Sequence, residues 1–152
     1  MSSEYEKGVR EIEIFRRFIE RSQLPIDKDS IEKGRLCEPD IRCVHSMDGP
    51  LAFELVEICD PNLAKFVATA RPDDGRYLRT SDPSLHILAK KLLRQYSSDA
   101  PVELLCYVDG GVITPDNVLL PTLQHILSGR TFGFRRVWLL GRKDVYVAWP
   151  FS

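Results

Sequence analysis

The sequence has no long hydrophobic run and no excess of charge of one sign. No segment approaches the roughly 20 apolar residues of a membrane-spanning helix, so we expect no membrane association. The 21 basic and 22 acidic side chains give a net charge of −1, which argues against a broadly basic nucleic-acid-binding protein. Cationic residues do concentrate in segments 71–79 and 130–143. They are either solvated surface charge or one wall of a local basic groove.

The cysteines lack the spacing of the common metal and redox motifs. The four cysteines, at positions 37, 43, 59 and 106, form no CxxC pair. Because they fall mostly within strand-like runs, we expect buried free thiols instead of disulfides or zinc ligands. The charged, helical pattern of residues 1–17 excludes a secretory signal there. We therefore expect a reduced, cytoplasmic protein.

The order of helices and strands predicts the fold class. A length of 152 residues suits one domain. Periodicity predicts helices at residues 3–21, 62–70, 84–95 and 116–127, and strands at 41–44, 51–59, 102–108, 137–140 and 145–149. Strands separated by helices imply parallel pairs, and hairpins add antiparallel pairs. We expect a single α/β domain over residues 1–152, with a mixed central sheet flanked by helices on both faces.

Two details of the N-terminal third are also predicted. The first helix has one apolar stripe at helical spacing, which we expect to face the sheet: Tyr5, Val9, Ile12, Phe15 and Ile19. Leu24-Pro25 ends this helix because proline cannot continue the hydrogen-bond ladder. Residues 26–39 are expected to form a loop with a short helical turn near residues 30–34.

The acidic residues of the first two strands are the main functional signal. Asp40 follows Pro39 and opens one strand, while Glu54 and Glu57 lie inside the apolar run of the next. An ionised carboxylate in an apolar strand is costly unless something compensates it. Either a divalent cation shared with Asp40 or a basic partner such as Arg42 would do so.

Strand geometry separates the two glutamates. Successive side chains of a strand point to opposite faces, so Glu54 lies with Val56 and Ile58, whereas Glu57 lies with Leu55. In a regular strand both acids cannot bind one metal ion. We favour Glu54 as the partner of Asp40.

This arrangement resembles the restriction-endonuclease-like fold of the PD-(D/E)XK nuclease superfamily. The resemblance covers residues 4–149 and depends on the N-terminal helix, Pro39-Asp40 opening a strand, and Glu54 in the next strand. It implies that Asp40 and Glu54 hold one or two Mg²⁺ or Mn²⁺ ions for phosphodiester hydrolysis, since hard cations take oxygen ligands. Glu13 or Glu20 of the first helix would be a supplementary ligand.

The sequence departs from the family motif at one position. The family places a lysine two residues after the strand acid, and Val56 stands there in this chain. Lys65, Lys90 or Lys91 from the following helices could supply the missing ammonium group. Alternatively a β-bulge could re-aim Glu57 into the site. The predicted catalytic residues are therefore Asp40, Glu54, Glu57 and Lys65, with Asp40 and Glu54 as metal ligands.

Three functions are compatible with these residues. The first is a Mg²⁺- or Mn²⁺-dependent nuclease that acts on DNA or RNA. The second is a catalytically degenerate domain of the same fold that binds protein or nucleic acid. The third is an unrelated α/β interaction module whose strand acids form salt bridges. The apolar C-terminal segment 149–151 adds the expectation of a homodimer.

Overall fold

The computed structural model describes residues 2–58, 88, 90–92, 95–96, 98–108, 115–128 and 133–150. The side chains of residues 2–4 are not included. The predicted helix at 62–70, the predicted loop at 71–83 and Lys65 lie outside the described residues. In the parts of the chain described, no helix is long and apolar enough to cross a membrane.

The described elements follow the predicted order. Helix α1 (Ser2–Ser22) precedes a 3₁₀ turn (Lys28–Ser30) and three strands: β1 (Glu32–Lys33), β2 (Ile41–His45) and β3 (Gly49–Glu57). Residues 88 and 90–92 are helical and are called α2. The chain continues through β4 (Val102–Tyr107), α3 (Asp116–Leu127), β5 (Val137–Leu140) and β6 (Val145–Trp149). The predicted bounds of α3, β5 and β6 are confirmed, and those of α1, β2, β3 and β4 differ by one or two residues.

The expectation of a helical turn near residues 30–34 is wrong. The turn lies earlier because the side chain of Asp27 accepts a hydrogen bond from Asp29 N and caps it. Residues 32–33 instead pair antiparallel with β2 as the short strand β1. Sequence periodicity cannot reveal a two-residue strand, because two residues are too few to show an alternation.

The six strands form one mixed sheet in chain order, from β1 to β6. Strands β3, β4 and β5 are parallel, and the pairs β1–β2, β2–β3 and β5–β6 are antiparallel. Helices cover both faces, so the predicted α/β class with a mixed, helix-flanked sheet is confirmed. The carboxyl ends of β3, β4 and β5 lie at one edge of the sheet, and β2 begins toward that same edge.

Helix α1 covers the face to which Phe53 and Leu55 point. Phe15 and Phe18 are fully buried there, and their rings contact that of Phe53 at centroid distances of 4.9 and 5.7 Å. Burying an aromatic side chain stabilises a fold by roughly 1.5–3 kcal/mol, so this pair sets the rotation of the helix. The predicted buried stripe is therefore partly wrong, since Tyr5 and Val9 are 75% and 41% exposed.

Helices α2 and α3 cover the opposite face. Their apolar side chains pack on even-numbered residues of β3 and β4 and on odd-numbered residues of β5: Leu88, Leu92, Leu119 and Leu123 against Val56, Leu104, Cys106, Val137 and Leu139. Glu54 points to this face, as the alternation along β3 predicts. An acidic side chain thus lies under α2.

Candidate active site

Asp40 and Glu54 lie side by side because of the register of β2 and β3. Ile41 pairs with Phe53, which puts Asp40 opposite Glu54 just before β2 begins. Asp40 N donates a hydrogen bond to Glu54 Oε1 at 2.9 Å, and Leu55 N donates to Asp40 Oδ2 at 2.9 Å. Each carboxylate therefore accepts a backbone N–H of the neighbouring segment, which fixes both side chains where the backbone ladder ends.

The segment before Asp40 is held by a close approach of two backbones. Gly34 N donates a hydrogen bond to Asp40 O at 2.9 Å. A Cβ atom at position 34 would lie 1.8 Å from Pro39 O, far inside van der Waals contact. Glycine at position 34 is therefore required for the chain to present Asp40 at this place.

Lys91 brings a cation to the two acids. Its Nζ lies 2.8 Å from Glu54 Oε2 and 3.5 Å from Asp40 Oδ2. The side chains of Lys91 and Asp40 are 14% and 20% exposed, whereas that of Glu54 is 2% exposed. Tyr96 donates a further hydrogen bond to Glu54 Oε2 at 2.8 Å. The site thus contains two carboxylates, one ammonium group and one phenol, and it reaches solvent through Asp40 and Lys91.

The pKa values of the two acids move in opposite directions. For Glu54, burial and the neighbouring Asp40 charge raise the pKa, and these effects outweigh Lys91. For Asp40, burial acts to raise the pKa, but the Lys91 ammonium group and the hydrogen bonds from Leu55 and Glu54 together lower it. Glu54 is therefore the member of the pair that protonates first as the pH falls.

The structure does not bring Glu57 together with this pair. Its side chain lies on the α1 face of the sheet, where Glu57 Oε1 is 3.3 Å from Arg10 Nη2. The pairing of β3 with β2 and β4 has no register shift that would re-aim it. Arg42, the expected basic partner of the strand acids, instead contacts Glu32 at 2.6 Å.

The other candidate groups also lie elsewhere. Glu13 and Glu20 are exposed on α1, which packs on the face opposite to Glu54. Lys90 is exposed and neighbours Lys91 on α2. Of the lysines proposed to replace the motif lysine, Lys91 is thus the one that reaches the acids within the described structure, and Lys65 lies outside it.

Three further acids that are buried in the described part of the chain were not singled out from the sequence: Glu103, Asp116 and Glu11, the last of which pairs with Lys33. Glu103 is 1% exposed and accepts hydrogen bonds from Arg135 Nε at 2.8 Å and Trp138 Nε1 at 2.6 Å. Its place in an apolar strand is the same signal that identified Glu54, so sequence inspection could have found it. Since an arginine and an indole satisfy Glu103, its contacts are those of a structural ion pair.

Asp116, the second of these acids, stabilises the β5–β6 hairpin. Its carboxylate accepts hydrogen bonds from Arg142 N at 2.7 Å, Lys143 N at 3.0 Å and Tyr146 Oη at 3.1 Å. Burial acts to raise its pKa, but these hydrogen bonds together lower it. Nothing in the local sequence predicts this contact, because the partners lie 26–30 residues further along the chain.

The cysteines are free thiols among the described residues, but they are not all buried. Cys43 and Cys106 are buried, and burial raises the pKa of each thiol to about 12. They are therefore protonated and unreactive at neutral pH. Cys37 is exposed, contrary to expectation, and Cys59 lies outside the described residues.

Asp40 and Glu54 offer carboxylate oxygens, the type of donor that a small hard cation takes. Mg²⁺ is usually bound through one or two carboxylates, with water and substrate phosphate as its other ligands. Within the described ranges, no group of three or more His, Cys, Asp or Glu side chains is placed to hold a metal ion. A metal ion bound here would therefore have two protein carboxylates and otherwise depend on water or substrate.

Comparison with known proteins adds no relative to this description. No protein-family model, no curated protein and no solved structure matches the chain. The function is therefore inferred from the geometry and chemistry of Asp40, Glu54, Lys91 and Tyr96.

Proposed function

We propose that the chain is a metal-dependent nuclease of the restriction-endonuclease-like fold, which hydrolyses phosphodiester bonds in nucleic acid. One observation supports this most strongly: Lys91 Nζ lies 2.8 Å from Glu54 and 3.5 Å from Asp40. The family resemblance implies a site of two acids and one lysine, and these three residues would fill those roles. The lysine comes from α2 instead of from the position of Val56.

The architecture supports the same proposal. A helix precedes an antiparallel pair, β2 and β3, with Asp40 just before β2 and Glu54 within β3. The chain then passes through α2, and β4 is parallel to β3. A crossover through α2 allows a lysine on that helix to lie over Glu54, because the helix packs on the face to which Glu54 points.

Each residue of the site has a role in this proposal. Mg²⁺ or Mn²⁺, when bound, would polarise the phosphodiester group and lower the pKa of a water ligand. Asp40 and Glu54 would hold the cation, each oriented by a backbone N–H of the neighbouring segment. Lys91 would offset negative charge that develops on the substrate. Tyr96 would keep Glu54 in place through its hydrogen bond to Oε2.

A second candidate is the catalytically degenerate domain that binds protein or nucleic acid. It is favoured by the partners that Glu54 finds within the chain, among them Asp40 N, Lys91 Nζ and Tyr96 Oη. A carboxylate satisfied in this way needs no metal ion. The two candidates differ in metal binding and in cleavage.

The proposal is tested by a cleavage assay on plasmid DNA and on RNA with Mg²⁺ or Mn²⁺. We expect cleavage by the unchanged protein, and a loss of at least about a hundredfold in Asp40→Asn and Lys91→Met, the order of magnitude of one removed electrostatic group. Lys90→Met is the matched control, because Lys90 is exposed on the same helix. Cleavage that survives Asp40→Asn would exclude this site, and no cleavage of either substrate would leave the degenerate domain as the better interpretation.

A further inference from the structure

A row of arginines on α1 lies along the edge where the parallel strands end. Arg10, Arg17 and Arg21 recur at intervals of seven and four residues, which puts them on one side of the helix. Arg10 Nη2 contacts Glu57 Oε1 at 3.3 Å at the end of β3, and Arg21 Nη1 donates to Gly141 O at 3.4 Å just after β5. These two contacts align the row with the carboxyl ends of β3, β4 and β5.

The β5–β6 hairpin extends this row. Arg142 and Lys143 are exposed in its turn, and the carboxylate of Asp116 accepts hydrogen bonds from both backbone N–H groups. The two cations also line a cleft of about 670 Å³ together with Asn117 and Tyr146. Because the turn is held by a buried carboxylate, its two cationic side chains project from a fixed backbone.

We propose that Arg17, Arg21, Arg142 and Lys143 form a phosphate-binding strip for the backbone of a nucleic acid. This inference rests on the proposed nuclease function and assigns the surface that holds its substrate. The strip lies at the carboxyl ends of β3, β4 and β5. On the same side of the sheet, β2 begins directly after Asp40. Because α1 covers the face of the sheet opposite to Glu54, a nucleic-acid strand held by the strip would cross the carboxyl ends of β3 and β4 to reach Asp40.

The dimensions and charge of the strip favour a polyanion with regularly spaced charges. From Arg17 to Arg21, α1 spans about 6 Å at 1.5 Å per residue, and one strand of B-DNA presents a phosphate about every 3.4 Å along its axis. The strip is a local feature, since the chain as a whole has a net charge of −1. Nucleic-acid binding is therefore expected to be sensitive to these four residues and not to cations elsewhere.

Binding is measured by fluorescence anisotropy with a labelled DNA duplex, the same sequence as single-stranded DNA, and single-stranded RNA. Divalent metal is left out, so cleavage plays no part. In Arg17→Ala and in Arg142→Ala/Lys143→Ala, we expect the slope of log K against log salt to fall by about 0.9 per lost contact on duplex DNA, or about 0.7 on a single strand. Arg16→Ala is the matched control, because Arg16 is exposed beside Arg17 and lines a different groove, which α1 forms with Lys33 of β1.

The possible outcomes distinguish a failure of the strip proposal from a failure of the nuclease proposal. Cleavage by the unchanged protein together with equal salt slopes in all variants would overturn the strip and leave the nuclease proposal standing. Strip-dependent binding without any metal-dependent cleavage would support the strip and exclude the nuclease. Failure to bind any of the three nucleic acids would overturn the strip, as would an effect of Arg16→Ala equal to that of Arg17→Ala.

Discussion

Lys91 extends from α2 to Glu54 and places its Nζ 2.8 Å from Oε2 of a carboxylate that is 2% exposed. The same ammonium group lies 3.5 Å from Asp40. Glu54 is therefore a buried acid whose charge is balanced by one lysine and opposed by a second acid. The first two predictions follow from this three-charge arrangement.

Removal of the ammonium group should destabilise the fold in a pH-dependent way. Lys91→Met leaves two adjacent carboxylates without their cation, and breaking a buried ion pair costs about 3–5 kcal/mol. Protonation of Glu54 relieves this cost, so the loss in free energy of unfolding should be larger at about pH 8 than at about pH 5. Urea denaturation at both pH values measures it. Lys90→Met should change stability by no more than about 0.5 kcal/mol, and an equal effect of the two substitutions would contradict the prediction.

Glu54 itself should make the protein less stable as the pH rises. Its pKa is raised above 4.5 in the folded state, so its stabilising contribution is fully present below pH 4.5 and is lost as the pH rises through the folded pKa. Glu54→Gln removes this titration. Asp40 has a lowered pKa and is already ionised in this window. As the pH rises, the unchanged protein should therefore lose free energy of unfolding relative to Glu54→Gln. A difference that stays constant across the window would show that the pKa of Glu54 is not raised.

Gly34→Ala should displace Asp40 from the site. The added Cβ would lie 1.8 Å from Pro39 O, and backbone must move to relieve such a contact. We expect a loss of stability of about 1–3 kcal/mol, as for other overpacked positions, together with loss of cleavage. Gly133→Ala is the matched control, since a Cβ there meets nothing within 4 Å. If Gly34→Ala kept full stability and activity, the close approach of residues 34 and 39 would be wrong.

The Asp116 carboxylate should hold the hairpin through both of its oxygen atoms. In Asp116→Asn an amide NH₂ replaces one acceptor, so at least one of the N–H donors at Arg142 and Lys143 loses its partner, at a cost of about 1–3 kcal/mol. Because the pKa of Asp116 is lowered below 3.8, its stabilising contribution is lost only as the pH falls through that lower value. Thermal unfolding of Asp116→Asn and of the exposed neighbour Asp144→Asn would test this. Equal unfolding temperatures for the two variants would contradict it.

The pairing of Asp40 with Glu54 could be predicted from sequence, whereas the source of the ammonium group could not. A strand, a short turn and a second strand fix the register, and alternation then separates Glu54 from Glu57. Three lysines follow in predicted helices, and only the rotation of α2 on the sheet selects Lys91 over Lys90. That rotation depends on the packing of Leu88 and Leu92, which involves several strands at once.

Other features could not be predicted from the sequence either, because they also depend on how the elements pack. The buried side of α1 is set by contacts of Phe15 and Phe18 with Phe53 and Trp138, so helical periodicity alone chose a stripe that includes the exposed Tyr5. The need for glycine at position 34 comes from a close approach to Pro39, which helix and strand periodicity does not describe. Local patterns predicted the elements, and tertiary packing decided which of their faces meet.

Calorimetric titration with Mn²⁺ tests most directly whether Asp40 and Glu54 share a hard cation. We expect the unchanged protein and Lys90→Met to bind Mn²⁺, and Asp40→Asn and Glu54→Gln to lose that binding. Affinity should rise with pH, because a proton on Glu54 competes with the metal ion. Absence of binding up to millimolar Mn²⁺, or equal binding by Asp40→Asn and the unchanged protein, would contradict a metal site at these two carboxylates.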